Sequence, residues 1–230
     1  MPAGWPAHYG YHLLAPGNWT VAVPSLNILY EDDQILVVNK PANLLSVAGR
    51  GPENQDSIQT RAGALYPQAL VVHRLDCATS GVMLLAKTKS AQSELMRQFR
   101  ERETHKEYQA ITWGDCPADE GNIELPLITD WPNRPKQKIC YEAGKPSLTR
   151  YKVLEQAGRR RRLLLIPVTG RSHQLRVHTM ALGMPIIGDR FYAPEPVIAM
   201  ADRLLLHAHT LTFHHPSTKA AITCRAPLPF

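Results

Sequence analysis

The sequence predicts an α+β fold built on a mixed, mostly antiparallel sheet flanked by helices and loops. Strand-like apolar runs come in close, hairpin-like pairs. Clear helical periodicity is confined to a few segments, so the regular strand–helix alternation of a doubly wound parallel sheet is missing. At 230 residues and 44% hydrophobic content, the chain suffices for one core that buries about 70% of the unfolded surface. One compact domain over residues 25–230 is expected.

Met1 to Pro24 is rich in proline and aromatics but has no period, which reads as an extended arm draped over that domain. Ile28-Leu29-Tyr30 and Ile35 to Val38, separated by Glu31-Asp32-Asp33-Gln34, read as a hairpin that delivers Lys40 and Pro41 to a loop. The Gly- and Asn-containing stretch from Ser46 to Asp56 reads as a mobile segment over one edge of a site. Ala91, Leu95 and Phe99 recur every fourth residue, with basic residues mostly off that stripe, so an amphipathic helix follows. Its charges are either a solvated face or a contact for an anionic partner. Tyr108 starts a strand that runs to Trp113. Leu148 to Leu154 and Leu163 to Val168 form a second hairpin, with Gly158 and Arg159 to Arg162 at its tip as exposed decoration or a phosphate contact. Ser172 is the expected N-cap of a helix that stops near Leu182, before Gly183 and Pro185. No internal repeat or low-complexity linker is present.

The segment His73-Arg74-Leu75-Asp76-Cys77-Ala78-Thr79-Ser80-Gly81 sits between the apolar runs Ala69 to Val72 and Val82 to Leu85. An acid and an arginine are thereby presented at the rim of a sheet. An Asx-turn accounts for an isolated Asp in such a turn, with Gly81 at positive φ. Three further blocks favour chemistry instead: V-V-N-K-P (Val37 to Pro41), K-E-Y (Lys106 to Tyr108) and T-G-R-S-H-Q-L-R-V-H (Thr169 to His178). Together, in this order and spacing, they resemble the RluA family of pseudouridine synthases from about Ile28 to the C-terminus. Asp130 to Lys138 (D-W-P-N-R-P-K-Q-K) and the later G-K-P (Gly144 to Pro146) resemble the RluA subgroup, whose members modify both tRNA and 23S rRNA.

The resemblance implies a pseudouridine synthase catalytic fold without the S4-type domain found in many relatives, for which the chain has no room. It also implies a cofactor-free isomerisation, in which N1–C1′ breaks, the base turns, and C5–C1′ forms. A carboxylate must then attack C1′ or take a proton from C2′, and Asp76 is that residue. Burial against a base and sugar favours the neutral acid, whereas a nearby cation favours the charged one. Arg176 is the implied partner, with Arg171 as a rival better placed for a phosphate. Tyr108 can stack on the uracil, and in the family the matching tyrosine is a candidate for removing the C5 proton. Arg74 shares the side of Asp76 in extended backbone, and the resemblance gives it the place vacated by a flipped base. His173 joins Arg171 among the expected RNA contacts, while His73 packs beneath the loop.

Trp131, Arg134, Lys136 and Lys138 interleave stacking and charge as an RNA-binding loop does. The implied partners are the tRNA anticodon stem-loop, at uridine 32, and 23S rRNA, at uridine 746. The net charge of +6 suits an anionic partner but also suits plain solubility. Cys77, Cys116, Cys140 and Cys224 have no C-x-x-C spacing, and His207, His209, His214 and His215 lack a neighbouring acid or Cys, so no metal site is expected. No apolar run reaches the roughly 18 residues that span a bilayer, and the N-terminus lacks signal-peptide character, so a cytoplasmic protein is expected. A monomer is the expected state, although the sequence does not determine it. The rival reading is a non-catalytic RNA-binding protein or chaperone that uses the same cleft. A metal-dependent hydrolase built on Asp76 lacks a ligand motif.

Overall fold

The computed structural model describes residues 25–230, so the expected arm up to Pro24 lies outside the described residues. The first hairpin forms as β1 (Ile28–Glu31) and β2 (Ile35–Lys40). The Asp32 carboxylate closes its turn by accepting the N–H groups of Gln34 and Ile35. α1 (Ile58–Leu65) follows, entered through a capping box between Ser57 and Thr60. β3 (Leu70–Val71) and β4 (Ser80–Ala86) flank the Asp76 segment, and α2 (Lys89–Glu101) is the predicted amphipathic helix. β5 (His105–Trp113) leads through β6 (Glu120–Glu124) to a small hairpin of β7 (Leu127–Thr129) and β8 (Gln137–Ile139). The second large hairpin is β9 (Leu148–Ala157) and β10 (Arg160–Pro167). α3 (Gln174–Ala181), the single turn α4 (Glu195–Ile198), β11 (Leu206–His214) and β12 (Ala221–Arg225) complete the order.

Among the described residues ten strands share one sheet, whose main path runs β1-β2-β4-β11-β5-β10-β9-β6. Within it only β4 and β11 pair in parallel. The mixed, mostly antiparallel α+β architecture expected from the sequence is the one observed.

β2 and β4 are buried on both faces, and the strand period of two divides their side chains between two cores. Ile35, Val37, Val82 and Leu84 face Ala91 and Leu95 of α2, whereas Leu36, Val38, Met83 and Leu85 face Ile58 and Ala62 of α1. A third core lies where β5 and β10 meet Leu175 of α3 and the segment Met184 to Ile187. The site forms where the three cores meet, around the central β4–β11–β5 strands.

Three local expectations are corrected. The run Arg159 to Arg162 is not a hairpin tip: β10 starts at Arg160, and the turn is Gly158 with Arg159. Arg161 points inward and donates to the Gly114 carbonyl, Arg162 pairs with Glu155, and Arg159 pairs with Asp115, so local partners hold three of the four. The N-cap of α3 is His173, at φ 53°, and not Ser172. No side chain caps this end; the Gln174 carboxamide folds back to accept the Arg171 N–H and the Thr169 hydroxyl, which fastens the preceding loop to the first turn of the helix. Tyr108 lies three residues inside β5, because the strand already begins at His105.

The parallel junction tolerates no side chain at its centre. Gly81 has φ +115°, and a Cβ there would stand 2.1 Å from the Ala208 carbonyl oxygen across the β4–β11 pairing. Gly81→Ala should therefore cost about 3 kcal/mol or more, from backbone strain together with a clash against backbone. Urea unfolding of the two proteins measures this.

Candidate active site

β2 occupies one edge of β4, while β11 and β3 share the other. β11 pairs at Ser80 and Gly81, and β3 pairs at Leu85 and Ala86. The Asp76 segment spans the gap between them. His73 satisfies the donor this gap exposes, because its Nε2 accepts the Leu84 N–H at 3.0 Å while the ring stacks on Phe99 at 4.5 Å. Burial, aided by the charge of Lys106, pulls the His73 pKa down to about 3, so the ring stays neutral and able to accept. The expected packing role of His73 is the one observed.

The Asp76 backbone is clamped on both sides. Ser46 donates to the Leu75 carbonyl at 2.7 Å and accepts the Leu75 N–H at 3.0 Å. Lys40 is fully buried and spends its three protons on the carbonyls of Pro41, Leu44 and Cys77. Burial lowers its pKa to about 8. One cation thus fastens the loop after β2 to the residue that follows Asp76. The carboxylate itself makes no Asx-turn. It is 27% exposed, with Arg176 Nη1 at 3.6 Å and His173 Nε2 at 4.0 Å.

Arg176 is only 4% exposed, and the acid that holds it is chiefly Asp189, itself 1% exposed. The Nε and Nη2 groups donate to the two Asp189 oxygens at 2.8 and 2.6 Å, a side-by-side fork that leaves Nη1 turned towards Asp76. Burial pulls the arginine pKa down, but the bonds to Asp189 together with the charges of Asp189 and Asp76 raise it overall. Asp189 also accepts the Phe191 N–H at 3.0 Å, and the rings of Phe191 and Tyr192 lie about 5 Å from the guanidinium carbon. Sequence reasoning asked for an acid beside a buried arginine and named one. A guanidinium has five donors, and the turn Gly188-Asp189-Arg190, thirteen residues on, was the signal for the second. Gly188 permits that turn: its φ is +76°, and a Cβ would meet the Arg203 carbonyl at 2.0 Å.

Tyr192 was also missed. Its hydroxyl accepts the Gln137 N–H at 2.8 Å, which leaves its own proton for His173 Nδ1 at 2.7 Å. Burial lowers the His173 pKa more than Asp76 raises it, so the ring is neutral and presents Nε2–H towards Asp76.

Asp76, Tyr108, Arg176, Arg74, Arg171 and His173, drawn from three separate motifs, all line one inner recess of about 110 Å³. Tyr108 reaches it from β5. Burial and the Asp76 charge raise the phenol pKa, so the hydroxyl holds its proton at neutral pH. The recess opens into a cleft of about 1570 Å³, bordered by Arg100 and Arg102 at the end of α2, by Arg134, and by Ser46, Val47 and Asn54. The segment expected over one edge of the site is there. Of the remaining predicted residues only Arg134 lines this cleft. Trp131 is 64% exposed beneath the Arg134 guanidinium, Lys138 pairs with Asp130 at 3.7 Å, and Lys136 is absent from the lining.

The histidines later in the chain take protein partners. His207 bonds Ser80, His209 the Ala226 carbonyl and His215 Asp32. Among the described residues no group of His, Cys, Asp and Glu is arranged to hold a metal ion. No helix among them is long and apolar enough to cross a membrane.

The family described as RNA pseudouridylate synthase matches residues 34–181. The dual-specificity RNA pseudouridine synthase RluA of Escherichia coli strain K12 is 59% identical over 208 residues, 90% of this chain and 95% of that protein. The protein of the same name from Pasteurella multocida is 51% identical over the same shares. Among solved structures, human RNA pseudouridylate synthase domain containing 1 superposes with a TM-score of 0.77. It is 30% identical and covers 94% of this chain and 87% of its own. The matched region holds the Asp76 loop, Tyr108 and the helix that carries Arg176, and on these likenesses the chain belongs to the RluA family of RNA pseudouridine synthases.

Proposed function

We propose that Asp76 is the carboxylate that acts at the ribose of the target uridine, held by Arg176, with the uracil stacked on Tyr108. The convergence of these three side chains on one recess carries this reading. Asp76 attacks C1′ or removes the C2′ proton, and either route breaks N1–C1′ and frees uracil to turn. Because burial keeps Tyr108 protonated, its first role is as a stacking surface with a hydrogen-bond donor. Removal of the C5 proton then requires a base other than the resting phenol.

The relatives named dual-specificity RNA pseudouridine synthases are matched over 95% of their length. On that ground we assign this chain two RNA substrates. The resemblance of Asp130 to Lys138 and Gly144 to Pro146 to the RluA subgroup makes them uridine 32 in the tRNA anticodon loop and uridine 746 in 23S rRNA, and we propose a cytoplasmic monomer as the acting form. Both are loop uridines, whose bases can be splayed out of the stack. Arg74 is exposed at the mouth of the recess and fills the space the base leaves. Arg100, Arg102, Arg134 and Arg171 line the cleft as phosphate contacts. Trp131, Lys136 and Lys138 flank it, as an outer contact for a longer RNA.

Asp76→Asn should keep the fold and the RNA affinity but lower turnover by roughly 10³-fold or more, since the amide keeps the shape and loses the charge. Tritium release from a tRNA transcript carrying 5-tritiated uridine reads this directly. Normal turnover by the variant would assign the chemistry to another acid, and absence of turnover by the unaltered protein would support the RNA-binding or chaperone reading.

Arg74→Ala should slow turnover far more than it weakens binding. Single-stranded contacts lower log K by about 0.7 per neutralised phosphate per unit log salt, so an unchanged slope would mark Arg74 as a base-replacing group. A 2-aminopurine placed beside the target uridine reports flipping by stopped flow. Normal flipping together with a flatter salt slope would make Arg74 a phosphate contact instead.

A further inference from the structure

Asp189 cancels the charge of Arg176, so Asp76, Arg176 and Asp189 together carry one net negative charge. When N1–C1′ breaks, the bonding pair leaves on N1 and spreads over O2 and O4, so a uracilate anion appears beside this group. A site prepared for that event holds a cation not already committed to an acid.

Lys106 is such a cation. It lines both the cleft and the inner recess with Asp76 and Tyr108. On β5 it stands two residues before Tyr108, so the two side chains leave the strand on one face. Its Nζ lies 3.8 Å from where a side chain on Gly170 would begin, so the glycine of the Thr169-Gly170-Arg171 loop leaves room around the ammonium. Burial and then the charge of Arg102 lower its pKa, with no acid opposing them. Among the described residues the ammonium has no carboxylate partner and no hydrogen-bond acceptor. Lys40 differs, since its three protons are spent on backbone carbonyls. A half-buried, unpartnered ammonium is costly to keep in a folded protein, and the recess supplies the missing anion only while substrate is bound.

We propose that Lys106 is a catalytic residue that donates from its ammonium to the carbonyl edge of the uracil and stabilises the uracilate formed on glycosidic cleavage. The proposal rests on the reading of the Asp76 recess as the base pocket. The same anion forms whether Asp76 forms a bond to C1′ or takes the C2′ proton. Rejoining through C5 returns the pair to C1′; a base then takes the C5 proton and N1 gains one, so no proton is lost or gained overall and Lys106 keeps its own throughout.

The test compares uridine with 5-fluorouridine in an anticodon stem-loop RNA, under single turnover at saturating enzyme, for the wild type, Lys106→Met, Lys106→Arg and Asp76→Asn. Lys106→Met should slow consumption of uridine by about 10²- to 10³-fold, the usual cost of one lost anion-stabilising donor. RNA affinity and its salt slope should stay unchanged. The loss should be much smaller with 5-fluorouridine, because fluorine already stabilises the departing anion, and Lys106→Arg should recover part of the rate. Loss of a poorly solvated charge should leave the melting temperature equal or higher. Should the methionine variant misfold, Lys106→Gln carries the same comparison. Equal losses on the two substrates would reduce Lys106 to a structural part, and weaker binding with normal turnover would make it a phosphate contact; either overturns the proposal. If Asp76→Asn stays active, the base-pocket reading itself falls, whereas an inactive Asp76→Asn with a normal Lys106→Met removes only the role of Lys106.

Discussion

The pairing of Arg176 with Asp189 is the constraint on which the cleft depends. A guanidinium this deeply buried cannot remain without a carboxylate, and the fork at 2.8 and 2.6 Å fixes its plane and its position along α3. Only Nη1 is then free to face Asp76, at 3.6 Å, which is an ion pair rather than a formed hydrogen bond. Asp76 is therefore held by a charge whose own position is set elsewhere. A bidentate bond directly to Arg176 would have occupied both carboxylate oxygens, which here stay open to the recess.

The backbone of the acid is held by equally specific means. The parallel pairing of β4 with β11 leaves an open edge on β4, and the loop that fills it carries Asp76. His73 caps that edge from below, Ser46 grips Leu75 through both of its backbone groups, and Lys40 holds the Cys77 carbonyl. Ser46 and Lys40 are buried and contact the residues on either side of Asp76 rather than its carboxylate, while His73 ties the start of the segment to Leu84 of β4. Rigidity and access are thus separated: the main chain is locked while the side chain remains about a quarter exposed.

Much of this was legible in the sequence, for reasons that differ by element. β1 with β2, β9 with β10, and α2 announced themselves through local apolar periods, and the Asp76 loop through its position between two buried runs. α1 was not foreseen, because it is short, contains Gly63, and buries only Ile58 and Ala62. The arginines after Gly158 misled because a charge run suggests solvent, whereas Arg161 finds a backbone carbonyl inside. Asp76, Tyr108 and Arg176 were singled out through motifs, and all three line the same recess. Asp189 and Tyr192 were not, since a partner brought in by a turn leaves no spacing rule relative to the residue it serves. The use of Lys40 was hidden for the same reason: its three acceptors are carbonyls, which every residue possesses.

The central claim is that Asp189 acts on catalysis only by way of Arg176, and a double-mutant cycle tests it directly. Single-turnover conversion of uridine would be measured for the wild type, Arg176→Met, Asp189→Asn and the double variant. If the two residues work as one unit, the double variant should be little slower than the slower single variant, giving a large coupling energy. If the two losses multiply instead, Asp189 and Arg176 act independently, and the account of how Asp76 is held would be wrong.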